Sequence, residues 1–125
     1  MKNLKYILFS IVLSSSTFIY TEVVEVYTWK ANPGKDVELI QAFKEASVIH
    51  EKEGAVVAIE AMNVGSTQGT YQYVMRWDNA TEWGKSKDKI NTSPEWAAFS
   101  SKYAPGSLGV MVSSLSGGNL DQTVK

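Results

Sequence analysis

The chain has one side chain that ordinarily titrates near neutral pH, and that side chain is His50. An imidazole can therefore accept and return a proton under physiological conditions. His50 lies late in a predicted helix, close to the apolar positions Ala46 and Ile49. It is either a catalytic proton acceptor or a half-buried helix residue that bonds to water or backbone. The chain has no cysteine and no second histidine, so the sequence predicts no metal site.

Two predicted strands place large aromatic and sulfur-containing side chains at alternate positions. Residues two apart in a strand share a face of the sheet. If the two strands pair in phase, one face carries Tyr27, Trp29, Tyr71, Tyr73, Met75 and Trp77, with Trp83 and Trp96 packed on it from a helix. This layer is either a pocket for a flat, apolar ligand or a core filled by large rings. The candidate ligand-binding residues are Glu25, Trp29, Tyr73, Met75, Trp77 and Trp83, and Tyr27 joins His50 as a candidate catalytic residue.

Charged residues on the same elements have less certain roles. Glu25 falls on the aromatic face, where a carboxylate could exchange protons with a ligand, or it reaches solvent from the strand end. Glu60 and Arg76 lie on neighbouring hairpin strands, so we expect them to pair with each other, or Arg76 to pair with a second subunit. Three lysines alternate along a predicted helix and are expected to form a solvated surface: Lys85, Lys87 and Lys89.

The first two elements follow from periodicity and from turn residues. Residues 23–30 alternate as a strand, and Pro33 ends it because proline cannot donate to the ladder. Asp36 is the predicted cap of a helix that runs to about Glu53, where Gly54 supplies a left-handed end. The buried stripes of this helix are predicted to contain Val37, Leu39, Ile40, Phe43, Ala46, Ser47 and Ile49.

A hairpin is predicted to follow this helix. Residues 55–62 are nearly all apolar or β-branched, which is typical of a strand covered on both faces. Residues 65–69 are rich in glycine and polar side chains, which indicates a flexible hairpin loop. Residues 70–77 then return as the third strand.

Two capping sequences mark the second helical region. Asn79 and Glu82 form a capping box, which predicts that a helix begins there. Ser93 followed by Pro94 predicts that the helix restarts, because serine caps it and proline at the first turn loses no hydrogen bond. A last strand over residues 108–115 and a loose polar tail over residues 117–125 complete the chain.

The N-terminal residues resemble a secretory signal peptide. Lys2 and Lys5 give a basic start, an apolar run follows, and serines come after it. The alternative is an ordinary first strand or helix of the fold. The run is shorter than the ~20 residues that a membrane-spanning helix needs. We therefore expect a signal peptide over residues 1–21, with cleavage after a residue between Ser16 and Thr21, and a periplasmic or secreted protein without a stable membrane anchor.

The bulk composition describes one globular domain, expected over residues 22–116. A length of 125 residues suits one domain, and 20% charged residues with 44% hydrophobic residues are values typical of globular rather than disordered chains. The net charge is -1, and Arg76 is the one arginine, so no basic stripe exists. The sequence therefore predicts no nucleic-acid partner.

Three segments carry a resemblance to known proteins: VEVYTWKANPG at residues 24–34, YVMRWDN at 73–79 and SPEWAAF at 93–99. They resemble the dimeric α+β barrel superfamily, in particular its antibiotic-biosynthesis monooxygenase-like and NIPSNAP-like branches. The resemblance implies an α+β, ferredoxin-like βαββαβ subunit, with an antiparallel four-stranded sheet and two helices on one face. It also implies that two subunits pair through the open sheet face into a barrel, as a homodimer.

The resemblance further implies a ligand pocket between the sheet and the helices. Some branches oxidise polycyclic aromatic compounds without a cofactor. Others degrade haem, with an asparagine on the first strand, a tryptophan on the third and a histidine on the second helix. Trp77 fits the tryptophan, but Tyr27 stands where the asparagine would be, and the predicted second helix has no histidine. We therefore expect no haem and no other cofactor.

Two functions stay open from the sequence. The first is a secreted or periplasmic protein that binds a small apolar or aromatic compound, and that would act on it, if at all, by cofactor-independent oxygenation or proton transfer. The second is a non-catalytic dimeric binding or assembly module with a filled core. The sequence contains no matched pair of acid and base groups, which favours binding over catalysis.

Overall fold

The computed structural model of the chain describes residues 22–65 and 68–119. The predicted signal peptide at residues 1–21, the middle of the predicted hairpin loop and the end of the predicted tail, residues 120–125, lie outside the described residues. The elements are β1 (Glu22–Ala31), α1 (Asp36–Lys52), β2 (Val56–Met62), β3 (Thr70–Trp77), α2 (Ala80–Asn91), α3 (Pro94–Lys102) and β4 (Gly109–Asn119).

The described strands form one antiparallel sheet in the order β2-β3-β1-β4. The helices pack on one face of it, because residues of α1, α2 and α3 join one core cluster with the inward side chains of β1 and β3. The predicted α+β class and ferredoxin-like βαββαβ order are confirmed. The second helical region is split into α2 and α3 at Ser93, as its sequence predicts.

The register of the two central strands decides which side chains face the helices. Tyr27 lies opposite Tyr73, and Glu25 lies opposite Met75. Strands one and three therefore pair in phase, and the predicted aromatic face exists. The core members of this face are Tyr73, Met75 and Trp77 from β3. They pack in one cluster with Leu39, Phe43 and Ala46 from α1.

Local capping signals position the helices. The Asn79 side-chain oxygen accepts a hydrogen bond from the Glu82 backbone N–H at 2.9 Å, and Ser93 Oγ accepts one from the Trp96 N–H at 3.2 Å. Gly54 has a φ of 99°, the left-handed conformation that glycine adopts without strain. The prediction for Asp36 is wrong, because it is the first helical residue, and its carboxylate accepts a hydrogen bond from the Tyr71 hydroxyl at 2.7 Å instead.

Three other predictions differ from the structure. β2 is an edge strand, and Val56 is 69% exposed, so the expectation of a strand covered on both faces is wrong. Val37 is 80% exposed, because it lies in the first turn of α1, away from the buried stripe. β4 continues to Asn119, so the first three residues of the predicted tail pair with the start of β1.

The sheet face away from the helices mixes apolar and polar side chains. By strand alternation its apolar members are Val24, Val26, Val56, Ala58, Val74, Val110 and Leu115, and its polar members include Glu22, Thr28, Lys30, Glu60, Gln72 and Arg76. The expected pair between Glu60 and Arg76 is wrong, because Glu60 lies opposite Gln72, whereas Arg76 Nη1 lies 3.5 Å from a carboxylate oxygen of Glu22.

Candidate functional site

A cavity of about 450 Å³ lies between the aromatic face of the sheet and the helices, and it is partly open to solvent. Its sheet wall contains Tyr27, Trp29, Tyr73 and Met75, and its helical wall contains Ala42, Ala46, His50, Lys87, Asn91, Trp96 and Phe99. Residues 103–109 and Met111 form another part of the wall. Large rings thus hold the helices away from the sheet, while the small buried side chains of Ala42 and Ala46 leave the intervening space unfilled.

His50 and Tyr73 form a buried polar pair on this wall. His50 Nδ1 lies 2.7 Å from the Tyr73 hydroxyl oxygen, and the two residues are 8% and 5% exposed. The phenol donates to Nδ1 when the imidazole proton is on Nε2, and Nδ1–H donates to the phenol in the other tautomer. The His50 ring also contacts the Trp96 ring, with centroids 4.8 Å apart.

The surroundings keep both members of this pair uncharged at neutral pH. Burial, and then the positive charge of Lys87, lower the pKa of His50 from 6.5 to about 4, against a hydrogen bond with Ala46 and the charge of Glu25. Burial, and then the charge of Glu51, raise the pKa of Tyr73 above its ordinary value. The pair can therefore donate or accept a hydrogen bond, and His50 presents a neutral imidazole that can take up a proton.

Glu25 is the centre of a second cluster of polar side chains, which lies beside the cavity. It is 5% exposed, so the alternative that it reaches solvent is wrong. One carboxylate oxygen lies 2.6 Å from Lys87 Nζ, and the other accepts a hydrogen bond from Trp83 Nε1 at 3.3 Å. Tyr27 also bonds to Glu25, and burial, then the charge of Glu25 and this hydrogen bond, raise the pKa of Tyr27 to about 12.

Lys87 is a site residue that the sequence did not predict. We expected a solvated lysine, but its side chain is 33% exposed, and its ammonium lies 5.6 Å from the Trp77 ring centroid. A signal for this was present, because Lys87 lies four residues after Trp83 and three before Ile90. Residues at these spacings share one side of a helix, and Ile90 was already predicted to be apolar and inward.

The structure separates the candidate residues into three groups. His50, Tyr27, Trp29, Tyr73 and Met75 line the cavity. Glu25 and Trp83 bond to each other, and Glu25 holds the cavity residue Lys87. Trp77 is 3% exposed in the core beneath Lys87, and in the part of the chain that the structure describes its indole N–H has no hydrogen-bond partner.

A row of rings on α3 extends the cavity wall. The Trp96 and Phe99 rings are stacked with centroids 5.0 Å apart, and Phe99 lies 5.0 Å from Tyr103. The sequence analysis placed Trp96 in the aromatic layer but omitted Tyr103. The spacing of three and four residues from Trp96 to Phe99 to Tyr103 is the signal that finds it.

Residues 22–65 and 68–119 contain no group of three or more histidine, aspartate or glutamate side chains placed to hold a metal ion. Within the same ranges, no helix has the length and apolar character that crossing a membrane requires.

Comparison with solved structures places the fold among NIPSNAP-like proteins. A NIPSNAP domain protein from Burkholderia xenovorans, described as uncharacterized, superposes with a TM-score of 0.63 at 16% identity, over 82% of this chain and 97% of that one. A NIPSNAP-like domain protein from the same organism gives 0.60 at 12% identity, over 85% and 90%. The expected resemblance to the NIPSNAP-like branch is therefore confirmed at the level of the fold.

A third similar structure comes from Bacteroides thetaiotaomicron. It is described as a conserved protein of unknown function and a possible oxidoreductase, and it has a TM-score of 0.59 at 14% identity, over 80% of this chain and 99% of that one. No family model matches the chain, and no curated protein sequence matches it significantly. At identities this low, the superposition establishes a shared fold alone. The chemistry has to be argued from the residues of the site itself.

Proposed function

We propose that this protein binds a small apolar or aromatic compound in the cavity between its sheet and its helices. The observation that carries the proposal is the cavity of about 450 Å³, walled by rings and containing a few polar groups. Small-molecule sites are typically concave, mostly apolar and roughly 300–1,000 Å³ in volume. Tyr27, Trp29, Tyr73 and Met75 would contact the flat faces and edges of the ligand.

His50 is the group that we propose for proton transfer, should the bound compound react. Its neutral imidazole lines the cavity, and its bond to Tyr73 fixes the orientation of the ring. A protein of similar fold is described as a possible oxidoreductase, which agrees with a redox reaction. We propose that this reaction is an oxygenation without a cofactor. Unchanged turnover of a converted ligand by His50→Ala would remove His50 from the mechanism.

Dye binding and cavity filling test the binding function. 1-Aminoanthracene, a neutral fluorescent dye for apolar cavities, should bind the protein and lose affinity in the series Ala42→Leu and Ala42→Phe. Ala42 lines the cavity and is 4% exposed, so each added carbon occupies ligand space. We expect at least about a tenfold loss for phenylalanine, equivalent to about 1.4 kcal/mol.

The matched control for this experiment is Val48→Phe. Val48 lies on the same helix and is 66% exposed, so the same ring there should leave dye affinity unchanged. Circular dichroism checks that all variants are folded. Equal affinity of Ala42→Phe and the unmodified protein would show that the dye binds elsewhere and would refute the assignment of the cavity. Native mass spectrometry of the purified protein would then identify any compound that it retains.

The open sheet face supports a second proposal, a homodimer. Three apolar residues of this face remain well exposed, with Val56 at 69%, Val110 at 57% and Leu115 at 66%. Burying such residues against a second copy is favourable by ~25 cal/mol per Å² of apolar surface. The resemblance of the sequence to the dimeric α+β barrel superfamily implies pairing through this face, and we propose that arrangement here. Light scattering at micromolar concentration that gives a monomer would refute it.

We also propose that the mature protein is periplasmic or secreted. The N-terminal residues 1–21 have the layout of a signal peptide, with a basic start, an apolar run and small residues. Cleavage after Ser16 would remove Lys2 and Lys5. The intact mass of the protein from a secreting bacterial host tests this, because an unprocessed N-terminus recovered from the cytoplasm would refute it.

A further inference from the structure

The charges at the cavity wall cancel each other. Among the described residues that line the cavity, Lys87 is the one aspartate, glutamate, lysine or arginine. Its ammonium lies 2.6 Å from a carboxylate oxygen of Glu25, which is itself almost fully buried. His50 and Tyr73 are both neutral at pH 7. A ligand in the cavity therefore meets dipoles and hydrogen-bonding groups but no unpaired charge.

Hydrogen-bond donors without a described partner lie at this wall. Glu25 already accepts from Lys87 and Trp83, and it also bonds to Tyr27, so its acceptor capacity is largely used. Lys87 has three N–H groups and gives one to Glu25. Asn91 lies one turn further along α2 and also lines the cavity, and its amide has two N–H donors and one acceptor oxygen. The wall thus has spare donors beside largely apolar surroundings.

We propose that the cavity selects neutral, flat, mostly apolar compounds that carry a hydrogen-bond-accepting oxygen, such as an aromatic ketone, and that this oxygen binds an N–H of Lys87. The inference rests on the proposed binding function and adds the chemical class of the ligand. Glu25 and Lys87 are then the residues that determine whether the cavity prefers neutral or charged ligands.

The physical reason lies in the desolvation of charged ligands. An anion that enters the cavity loses its hydration, and Lys87 cannot repay that loss because Glu25 already neutralises it. A cation also loses its hydration, and the neutralised pair of Lys87 and Glu25 gives it no counter-charge in return. A neutral ketone loses little hydration and gains a charge-assisted hydrogen bond from Lys87.

Four probes of similar shape test the proposal by displacing 1-aminoanthracene at pH 7. They are 2-acetylnaphthalene, 2-ethylnaphthalene, 2-naphthoate and 2-naphthylmethylammonium, which are the ketone, the hydrocarbon, the anion and the cation. We expect the ketone to bind at least about tenfold more tightly than either ion and several-fold more tightly than the hydrocarbon. Tighter binding of an ion than of the ketone overturns the inference while leaving the binding function intact. No displacement by any probe counts against the binding function itself.

Exchanging single charges should change this preference in a predictable direction. Glu25→Gln keeps the size of the side chain and leaves Lys87 without its counter-charge, so the ratio of naphthoate to ketone affinity should rise about tenfold or more. Both affinities are measured on one preparation, so the ratio does not depend on the fraction of folded protein. An unchanged ratio overturns the inference.

Two more variants complete the test. The double variant Glu25→Gln with Lys87→Met removes both charges together, so the cavity should still prefer neutral probes, but the ketone and the hydrocarbon should bind about equally. A retained advantage of the ketone would show that Lys87 does not hold its oxygen. The control is Lys85→Met, because Lys85 is 64% exposed on the same helix and pairs with Glu82. It should leave all four affinities unchanged, and a shift like that of Glu25→Gln would assign the effect to net charge.

Discussion

The buried pair of His50 and Tyr73 makes the stability of this protein depend on pH in a defined window. Burial and the charge of Lys87 lower the pKa of His50 from 6.5 to about 4 in the folded state. The unfolded chain therefore binds a proton at His50 between these values, whereas the folded protein does not. Because stability rises with pH wherever the unfolded state binds more protons, this contribution is complete above pH 6.5 and falls as the pH is lowered towards 4.

The magnitude follows from the size of the pKa difference. Each unit corresponds to about 1.4 kcal/mol, so a shift from 6.5 to about 4 gives an upper limit of about 3 kcal/mol. Water in the partly open cavity can solvate the imidazolium, and we therefore expect a loss of roughly 2 kcal/mol between pH 7.5 and pH 4.5. This is a large part of the stability of a typical small domain, which is about 5–15 kcal/mol.

The assay compares the protein with His50→Gln by urea unfolding at fixed protein concentration across this pH range. Glutamine can still bond to Tyr73 but does not titrate, and the carboxylates titrate in both proteins. The free energy of unfolding of the unmodified protein minus that of His50→Gln should therefore fall by roughly 2 kcal/mol on acidification. A difference that stays constant within about 0.5 kcal/mol would refute the reasoning.

Nuclear magnetic resonance gives an independent measurement of the same property. The chain contains one histidine, so a protein without an affinity tag shows one imidazole signal to follow. In the folded protein its midpoint should lie near pH 4. A midpoint near 6.5 would mean that the ring is hydrated, and the buried bond to Tyr73 would then be wrong.

Two further predictions concern assembly and local folding. Leu115→Glu places a carboxylate on the open sheet face, so it should convert a dimer to monomer in light scattering. Val37→Glu, at a valine on α1 that is even more exposed, should leave the dimer intact. Loss of the dimer in both would point to a general charge effect. Asn79→Ala removes the cap of α2 and should lower the free energy of unfolding, measured in urea, by about 1 kcal/mol. The affinity for the dye should not change. An unchanged free energy of unfolding would mean that the cap bond contributes little.

Several features of the fold were determined by short stretches of sequence. The alternation in β1 grouped Tyr27 with Trp29 and that in β3 grouped Tyr73 with Met75, because side-chain direction in a strand reverses at every residue. That the two groups share a face was a condition on the pairing of the strands, and the register satisfies it. The caps at Asn79 and Ser93 were also readable, since a cap joins groups that are three residues apart. Such interactions depend on local backbone geometry alone, and the sequence states that geometry directly.

Other features depended on which strand lies beside which. The apolar run of β2 indicated a strand but not its place in the sheet, and as an edge strand it exposes Val56. The expected pair of Glu60 and Arg76 was wrong for a related reason. The register of the hairpin puts other residues opposite them. A one-residue choice of register changes every partner along a strand.

The polar groups of the cavity were decided by the tertiary structure alone. Glu25 and Lys87 are 62 residues apart in sequence, and His50 and Tyr73 are 23 apart. The sequence supplied their chemical types, but the placement of α1 and α2 over the sheet brought each pair together, buried His50, Tyr73 and Glu25, and left Lys87 one third exposed. Charge and hydrogen-bonding state depend on burial and on neighbours in space, and these arise only when distant segments pack.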